Sequence, residues 1–362
     1  MKAAVCYEFN KPMVIEDLEL DPPKKGEVKI RLAATAICHS DISVLKGDFP
    51  DTLPSVGGHE SAGYVEEVGE GVTTVKPGDP VVVSLLRSCK QCKYCVIGRP
   101  YLCSGKFALD TESRLHTKGG QRVGAGGRVG GFAEYCVVHE TQAVPIPPDM
   151  PLDRACLLAC AVLAGFLGVI NSAQVKAMDS VAIIGCGGVG LNAIQGAAYS
   201  GAYPIIAIDV IDSKLNAARV FGATHTINGR QNDVVKTVMD LTSGQGADWV
   251  FVTVGSGAAM TQGVQMSSLY GTTMAIGLPP KNETISVSAF DLAILKERTI
   301  KAAFMGSPRS SVDIPRLVNL YKVGRLKLDE LISGRYSLGQ INKAVEEIES
   351  GKALRNVILF DK

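Results

Sequence analysis

Apolar and polar positions alternate over the first part of the chain. Val28-Lys29-Ile30-Arg31-Leu32 has the period of two that a strand with one buried face requires, and Asp21-Pro22-Pro23 breaks it as a turn would. Gly63-Tyr64-Val65-Glu66-Glu67-Val68-Gly69 and Pro80-Val81-Val82-Val83 predict two more strands, joined by the turn Lys76-Pro77-Gly78-Asp79. This part of the chain is therefore expected to be mostly antiparallel β. Residues 104–131 are rich in glycine and keep neither period, which predicts a long surface loop with His116 exposed and inert. Strand character returns over Phe132 to Val138, with His139 a structural residue at its end. Pro145, Pro147, Pro148 and Pro151 then mark a boundary. The uncharged apolar run from Ala155 to Ile170 is 16 residues long, short for a membrane span, and predicts a buried core helix.

From Ser180 the period changes. Val181-Ala182-Ile183-Ile184 reads as a buried strand, followed by glycines and a helical run to Tyr199; Pro204 to Ile208 reads as a second strand. Strands near Trp249 to Val254 and Thr272 to Ile276 alternate with helices near Asp212–Val220, Asp233–Leu241 and Gly257–Ser268. Such alternation implies a doubly wound parallel sheet. The tail reads helix, helix, strand over Val312 to Lys322, Leu338 to Ser350 and Asn356 to Phe360. No repeats or low-complexity tracts interrupt the pattern.

Composition narrows the picture. A chain of 362 residues exceeds the usual single-core limit, so two domains are expected. A formal net charge of +1 gives no electrostatic case for nucleic acid or an anionic membrane surface. The opening residues lack the apolar core of a signal peptide, and ten cysteines then point to reduced thiols and metal ligation, hence a cytoplasmic protein.

The densest chemical signal is Cys89-x2-Cys92-x2-Cys95-x7-Cys103. Four thiolates at this spacing can close a tetrahedron around one zinc ion with no open position, a structural site. The ferredoxin alternative places its fourth Cys three residues on and follows it with Pro; here the gap is seven and Ser104 follows. A second cluster lies between Cys38 and Glu60, where Cys38-His39-Ser40-Asp41 and Gly57-Gly58-His59-Glu60 bring a thiol, an imidazole and carboxylates together. A catalytic zinc needs three protein ligands and an open fourth position. Cys38 and His59 supply two, Asp41 or Glu60 suits a partner for the imidazole, and Cys156 or Cys160 is the candidate third.

Gly185-Cys186-Gly187-Gly188-Val189-Gly190 has the G-x-G-x-x-G spacing between a strand and a helix, and Asp209 ends the next strand 19 residues after Gly190. This is the dinucleotide fingerprint in its required context. The glycines admit a pyrophosphate to the helix N-terminus, and Asp209 suits a ribose hydroxyl while repelling a 2′-phosphate, which favours NAD over NADP.

Gly58-His59-Glu60-x2-Gly63-x5-Gly69, the four-Cys lobe and the later Gly185–Gly190 fingerprint together resemble the zinc-containing medium-chain alcohol dehydrogenases over essentially the whole chain. The resemblance implies a β-rich GroES-like catalytic domain over residues 1–161 with the structural zinc lobe at 89–103. It also implies a Rossmann NAD-binding domain over 162–303 and a return to the catalytic domain over 304–362. It implies that Cys38, His59 and Cys160 hold the catalytic zinc, with Asp41 bonded to His59 and Glu60 behind the metal. Ser40 matches the hydroxyl that takes the alcohol proton. His39 and Arg355 match basic positions near the pyrophosphate, Lys214 one near the adenosine ribose, and Val189 and Leu278 lie among the cofactor contacts. Leu85, Leu278 and Phe304 match apolar positions near the substrate. Two departures stand out: His39 replaces an Arg common in the animal enzymes, and Ser43 replaces a His that ends the proton relay in many members.

The implied activity is hydride exchange between alcohols, medium-chain, allylic or aromatic, and NAD, with two zinc ions per chain. The implied assembly is a homodimer, or a homotetramer, joined at the sheet edge near Ala303. Two relatives with the same motifs are alternatives: a nicotinoprotein that keeps its NAD and uses an external acceptor, and a glutathione-dependent formaldehyde dehydrogenase. From another class comes a non-catalytic, zinc-stabilised nucleotide-binding redox sensor. Polyol dehydrogenases commonly carry a carboxylate at the position of Cys160, and zinc-free quinone reductases lack both metal sites.

Overall fold

The computed structural model describes residues 1–49, 51–290 and 297–361. The chain forms two units, one from Met1–Cys160 with Pro308–Lys362 and one from Ala161–Ser307.

The first unit begins with ten strands: β1 (Lys2–Cys6), β2 (Val14–Leu20), β3 (Glu27–Ala36), β4 (Ser55–Val56), β5 (Glu60–Val68), β6 (Pro80–Val83), β7 (Leu115–Thr117), β8 (Arg122–Ala125), β9 (Tyr135–His139) and β10 (Ala143–Pro145). The alternation read from Val28 to Leu32 is met by β3, where Val28, Ile30 and Leu32 are buried and Lys29 and Arg31 face outward. β1, β2, β7, β8 and β4 close a barrel. Residues 104–131 are thus not one surface loop: β7 and β8 pair with each other, β7 with β2 and β8 with β4, and Leu115, Val123 and Val129 are buried. Strands of three and four residues are too short to display a period of two, and the glycines around them hid the rest. His116 lies in β7 with Nδ1 3.6 Å from Asp21 Oδ2, half-buried instead of free.

The second unit holds six parallel strands, β11 (Val181–Ile184), β12 (Ile205–Asp209), β13 (His225–Asn228), β14 (Ala247–Val252), β15 (Ser267–Ala275) and β16 (Thr299–Ala302). Their order is β13-β12-β11-β14-β15-β16, so the winding reverses between β11 and β14. In such sheets ligands bind beyond the carboxyl ends of the strands at that reversal. β11 ends there, and its buried Val-Ala-Ile-Ile run is what two covered faces demand. The exposed part of the β16 edge is Thr299–Ala302; Ala303 itself is buried.

The chain returns to the first unit with β17 (Ile332–Ser337) and β18 (Arg355–Leu359), completing the sheet β10-β6-β5-β3-β18-β17, with β9 also paired to β3. The apolar run from Ala155 is not a single helix. It is α-helical over Leu152–Ala155, 3-10 over Cys156–Ala159, breaks at Cys160 (φ −142°, ψ −70°), and resumes over Ala161–Leu167. No single helix among the described residues is long and apolar enough to cross a membrane.

Candidate active site and metal centres

Cys38 ends the extended run after β3 and caps the short helix His39–Leu45. Asp41, in the first turn, folds back so that its Oδ2 accepts the Cys38 N–H at 2.9 Å. Its Oδ1 accepts from Gly58 N at 3.2 Å and from His59 Nδ1 at 2.9 Å. A carboxylate that only accepts makes Nδ1 the donor, and in the neutral ring this leaves Nε2 with its lone pair. Gly58 has φ +88°, and a Cβ there would come within 2.6 Å of the Phe132 ring, so only glycine brings His59 into place.

Cys38, His59, Glu60 and Cys160 each offer one donor atom, and the four atoms lie within 4.8 Å of one another in the buried interior of the first unit. Cys156 is excluded from this group: its Sγ donates to the Asp153 carbonyl at 3.4 Å. The contact with Cys160 holds the Cys38 thiol well below its usual range, with help from His59 and Arg355 against the effect of burial. Burial opposes charge on His59, but Asp41 outweighs it and raises the imidazole well above its usual range. Burial and the neighbouring Cys38 push Glu60 up to about 8, against the pull of Arg355 and His59.

Glu60 carries the strongest local anomaly. Both its carboxylate oxygens are buried without a hydrogen-bond donor, although Arg355 Nη2 stands 3.4 Å from Oε1 as an ion pair. Arg355, the first residue of β18, is buried and donates through Nη1 to the Ile37 carbonyl at 3.1 Å. Its guanidinium thus reaches Glu60 through Nη2 and Ile37 through Nη1, while Nε is left without a hydrogen-bond partner. Nothing in the sequence around Glu60 signalled this pairing. Ser40 is half-buried and Ser43 follows one helical turn later, while His39 is exposed.

The lobe gathers Cys89, Cys92, Cys95 and Cys103 into a second group, again within 4.8 Å. Backbone N–H groups point at the sulfurs: Cys89 N to Cys103 Sγ at 3.2 Å, Cys92 N to Cys89 Sγ at 3.3 Å and Gly105 N to Cys103 Sγ at 3.4 Å. Backbone donors from Cys95 and Ser104 draw the Cys92 thiol down to about 5, as a thiolate ligand requires. All ten cysteines are free thiols.

In the second unit, Gly185 turns the chain with φ +95° after β11, and Gly187 caps the helix Gly188–Ser200. A Cβ on Gly190 would lie 1.8 Å from the Gly185 carbonyl oxygen, whereas one on Gly187 would meet nothing within 4 Å. Gly187 therefore leaves space at a helix N-terminus, where the macrodipole favours an anion. Asp209 ends β12; its Oδ2 accepts from Cys186 N at 2.7 Å and its Oδ1 from Val210 N and Ile211 N at 2.7 and 3.0 Å. Each oxygen has a second lone-pair direction, so the carboxylate keeps capacity for a sugar hydroxyl. Lys214 is half-buried in the first turn of the helix Asp212–Val220.

Residues 24–148 match the family model for the alcohol dehydrogenase GroES-like domain, and residues 188–322 match that for zinc-binding dehydrogenases. An NDMA-dependent alcohol dehydrogenase of Amycolatopsis methanolica is 39% identical over 367 residues, covering 99% of this chain and 98% of its own. The chain belongs to the zinc-containing medium-chain alcohol dehydrogenases.

Solved structures agree with that membership. An alcohol dehydrogenase zinc-binding domain protein from Burkholderia ambifaria superposes with a TM-score of 0.94 at 33% identity, covering 100% of this chain and 99% of that one. Benzyl alcohol dehydrogenase from Acinetobacter calcoaceticus gives 0.93 at 30% identity, covering 99% of each chain. The protein is thus an alcohol/aldehyde oxidoreductase with a GroES-like and a Rossmann part. In this dehydrogenase Leu85 is half-buried and packs against the Val81–Val83 core, whereas Leu278 and Phe304 are exposed on the second unit.

Proposed function

We propose that this enzyme interconverts alcohols and aldehydes or ketones with NAD as hydride carrier. One zinc would be held by Cys38, His59 and Cys160 and a second by the four-Cys lobe. The observation that carries this reading is the convergence of two thiols and an Asp41-oriented imidazole within 4.8 Å, away from solvent. That donor set fits zinc: thiolate and imidazole ligands, with the imidazole tautomer set by a carboxylate. The Glu60 oxygens, which lack a hydrogen-bond donor, suit a nearby cation in the same way.

When bound, zinc supplies Lewis-acid polarisation of the substrate oxygen, and the nicotinamide supplies the hydride acceptor. The chain's own residues do the rest. Asp41 keeps His59 oriented through its Nδ1–H. Ser40 takes the hydroxyl proton and passes it on; with a serine at position 43 the proton leaves through water instead of through an imidazole. The space at Gly187 suits a pyrophosphate and Asp209 suits an unphosphorylated ribose, which supports NAD over NADP. Val189 lies in the same turn, and His39 and Lys214 add positive charge for the phosphates and ribose.

Medium-chain, allylic or aromatic primary alcohols are the substrates we favour, because Leu85, Leu278 and Phe304 are all apolar. A relative named for benzyl alcohol supports the aromatic end of that range. A second reading, tightly held NAD with an external acceptor, is favoured by the relative described as NDMA-dependent. The exposed edge Thr299–Ala302 is the surface a second copy would cover in a homodimer.

One purification tests all of this. Two zinc ions per chain and turnover of benzyl or cinnamyl alcohol with added NAD are the expected result. Nucleotide retained through gel filtration, with turnover only when NDMA is added, would establish the second reading. One zinc per chain and no turnover under either regime would overturn both.

A further inference from the structure

The residues that lead into Cys160 form a short rod. Leu152–Ala155 and Cys156–Ala159 are continuous, with Ala155 and Cys156 both keeping right-handed helical dihedrals, and the backbone turns away at Cys160. At about 1.5 Å per α-helical residue and about 2.0 Å per 3-10 residue the rod is about 14 Å long. Its second half is buried all round: Cys156, Leu157, Leu158 and Ala159 are fully buried, and Ser84 Oγ donates to the Ala159 carbonyl at 3.4 Å. Apolar burial keeps this half inside the core, but the hydrophobic effect itself is non-directional.

Directional restraint comes from the rod's first turn. Asp153, with its side chain only 14% exposed, accepts Arg154 Nη1 on both oxygens at 2.8 Å. It also accepts Arg335 through Nε and Nη2, each at 2.9 Å. Arg154 Nε reaches on to Asp329 Oδ1 at 2.8 Å, and Asp329 Oδ2 accepts from the Tyr321 hydroxyl at 2.9 Å. These bonds tie the rod to residues 175 and 182 positions further along the chain, within the same unit. Isolated surface ion pairs contribute little, but forked arginine contacts joined into a network hold geometry. The proposed hydride chemistry uses none of these five side chains.

We propose that Arg154 is a positioning residue for the metal. The ladder Arg335–Asp153–Arg154–Asp329–Tyr321 sets the axial position of residues 152–159, and with it the reach of Cys160 Sγ toward Cys38 and His59. This rests on Cys160 being a zinc ligand, as proposed above.

The test is zinc release from the fully loaded protein to a chromophoric chelator. Wild type releases two ions in two phases, and Cys160→Ser identifies the cluster phase by abolishing it. In Arg154→Ala and Arg335→Ala the cluster phase accelerates at least tenfold, while the four-Cys phase stays within twofold. Arg154→Lys, which keeps the charge without the fork, gives an intermediate acceleration and serves if the alanine variant fails to fold. Lys322→Ala breaks the separate Lys322–Asp149 pair and leaves both phases unchanged. Folded Arg154 and Arg335 variants with an unaltered cluster phase, or with both phases accelerated alike, would overturn the proposal. A wild type that releases one ion overturns instead the ligand reading beneath it.

Discussion

Arg355 Nη2 lies 3.4 Å from Glu60 Oε1, and the two side chains are 3% and 0% exposed. Cys38 and Cys160 add their charge to the same pocket when they ionise. Arg355→Met would leave Glu60 and the thiolates short of a countercharge, and breaking such a buried pair costs about 3–5 kcal/mol. Glu60→Gln leaves the guanidinium beside those thiolates and costs less. Urea unfolding of the zinc-loaded variants should rank them in that order; equal losses would show that the pair acts only by packing.

The two glycines of the nucleotide turn separate folding from binding. Gly187 has φ −81°, open to any residue, and no neighbour for a Cβ. Gly187→Ala should therefore stay within about 0.5 kcal/mol of wild type in stability while NADH affinity falls by at least about tenfold, roughly 1.4 kcal/mol. Gly190→Ala forces a Cβ onto the Gly185 carbonyl and should destabilise by about 1–3 kcal/mol. Thermal unfolding paired with a fluorescence titration distinguishes the two.

His139 predicts a pH dependence. Burial, aided by Arg87 and Lys90 and opposed by Glu140, pushes its imidazole below the usual 6.5. Its Nδ1 accepts the Thr141 N–H at 3.2 Å, a bond that protonation would remove. The unfolded chain takes up the proton first as pH falls, so the contribution is complete above pH 6.5 and is lost as pH drops through the lower folded value. Between pH 7.5 and 5.5 wild type should lose stability relative to His139→Gln, by at most about 1.4 kcal/mol per pH unit. A constant difference across that range would contradict the assignment.

The lobe has almost no core of its own. Its helical turns Lys93–Val96 and Pro100–Leu102 bury no residue, and Val96 and Ile97 are 71% and 54% exposed. A structural zinc contributes on the order of 10 kcal/mol to such a segment. Cys103→Ser should open it to trypsin at Lys90 and Lys93, with the remaining zinc still bound at the other cluster. Resistance to cleavage would mean that the lobe is held by something besides the metal.

Ser40→Ala tests the proton path. Loss of a positioned general base typically lowers turnover about 10²–10⁴-fold, and zinc content should be unchanged because Ser40 is outside both donor groups. A drop below tenfold would move the proton acceptor elsewhere.

Legibility followed distance along the chain. The four-Cys lobe and the glycine turn declare themselves within 15 and six residues, because a tetrahedral ion and a pyrophosphate each impose a local spacing. The second metal group was only half readable. Cys38 and His59 are near neighbours, but residues alone could not separate Cys160 from Cys156; in the fold it is the Cys160 sulfur, at the helix break, that joins their group. The pairing of Arg355 with Glu60 was missed because the two are distant in sequence and meet through a strand pairing, β18 with β3, that no local pattern encodes. The barrel strands β7 and β8 were lost for the opposite reason: they are too short to leave a pattern.

The return of the chain after residue 307 has a consequence during synthesis. The nucleotide-binding unit is contiguous and can fold as it leaves the ribosome, whereas β18 is still unmade. Translation at about 5–20 residues per second leaves Glu60 without Arg355 for on the order of tens of seconds. Over that interval the nascent first unit carries an unneutralised acid and an unpaired edge on β3, so chaperone dependence should concentrate there and ease once the last strand emerges.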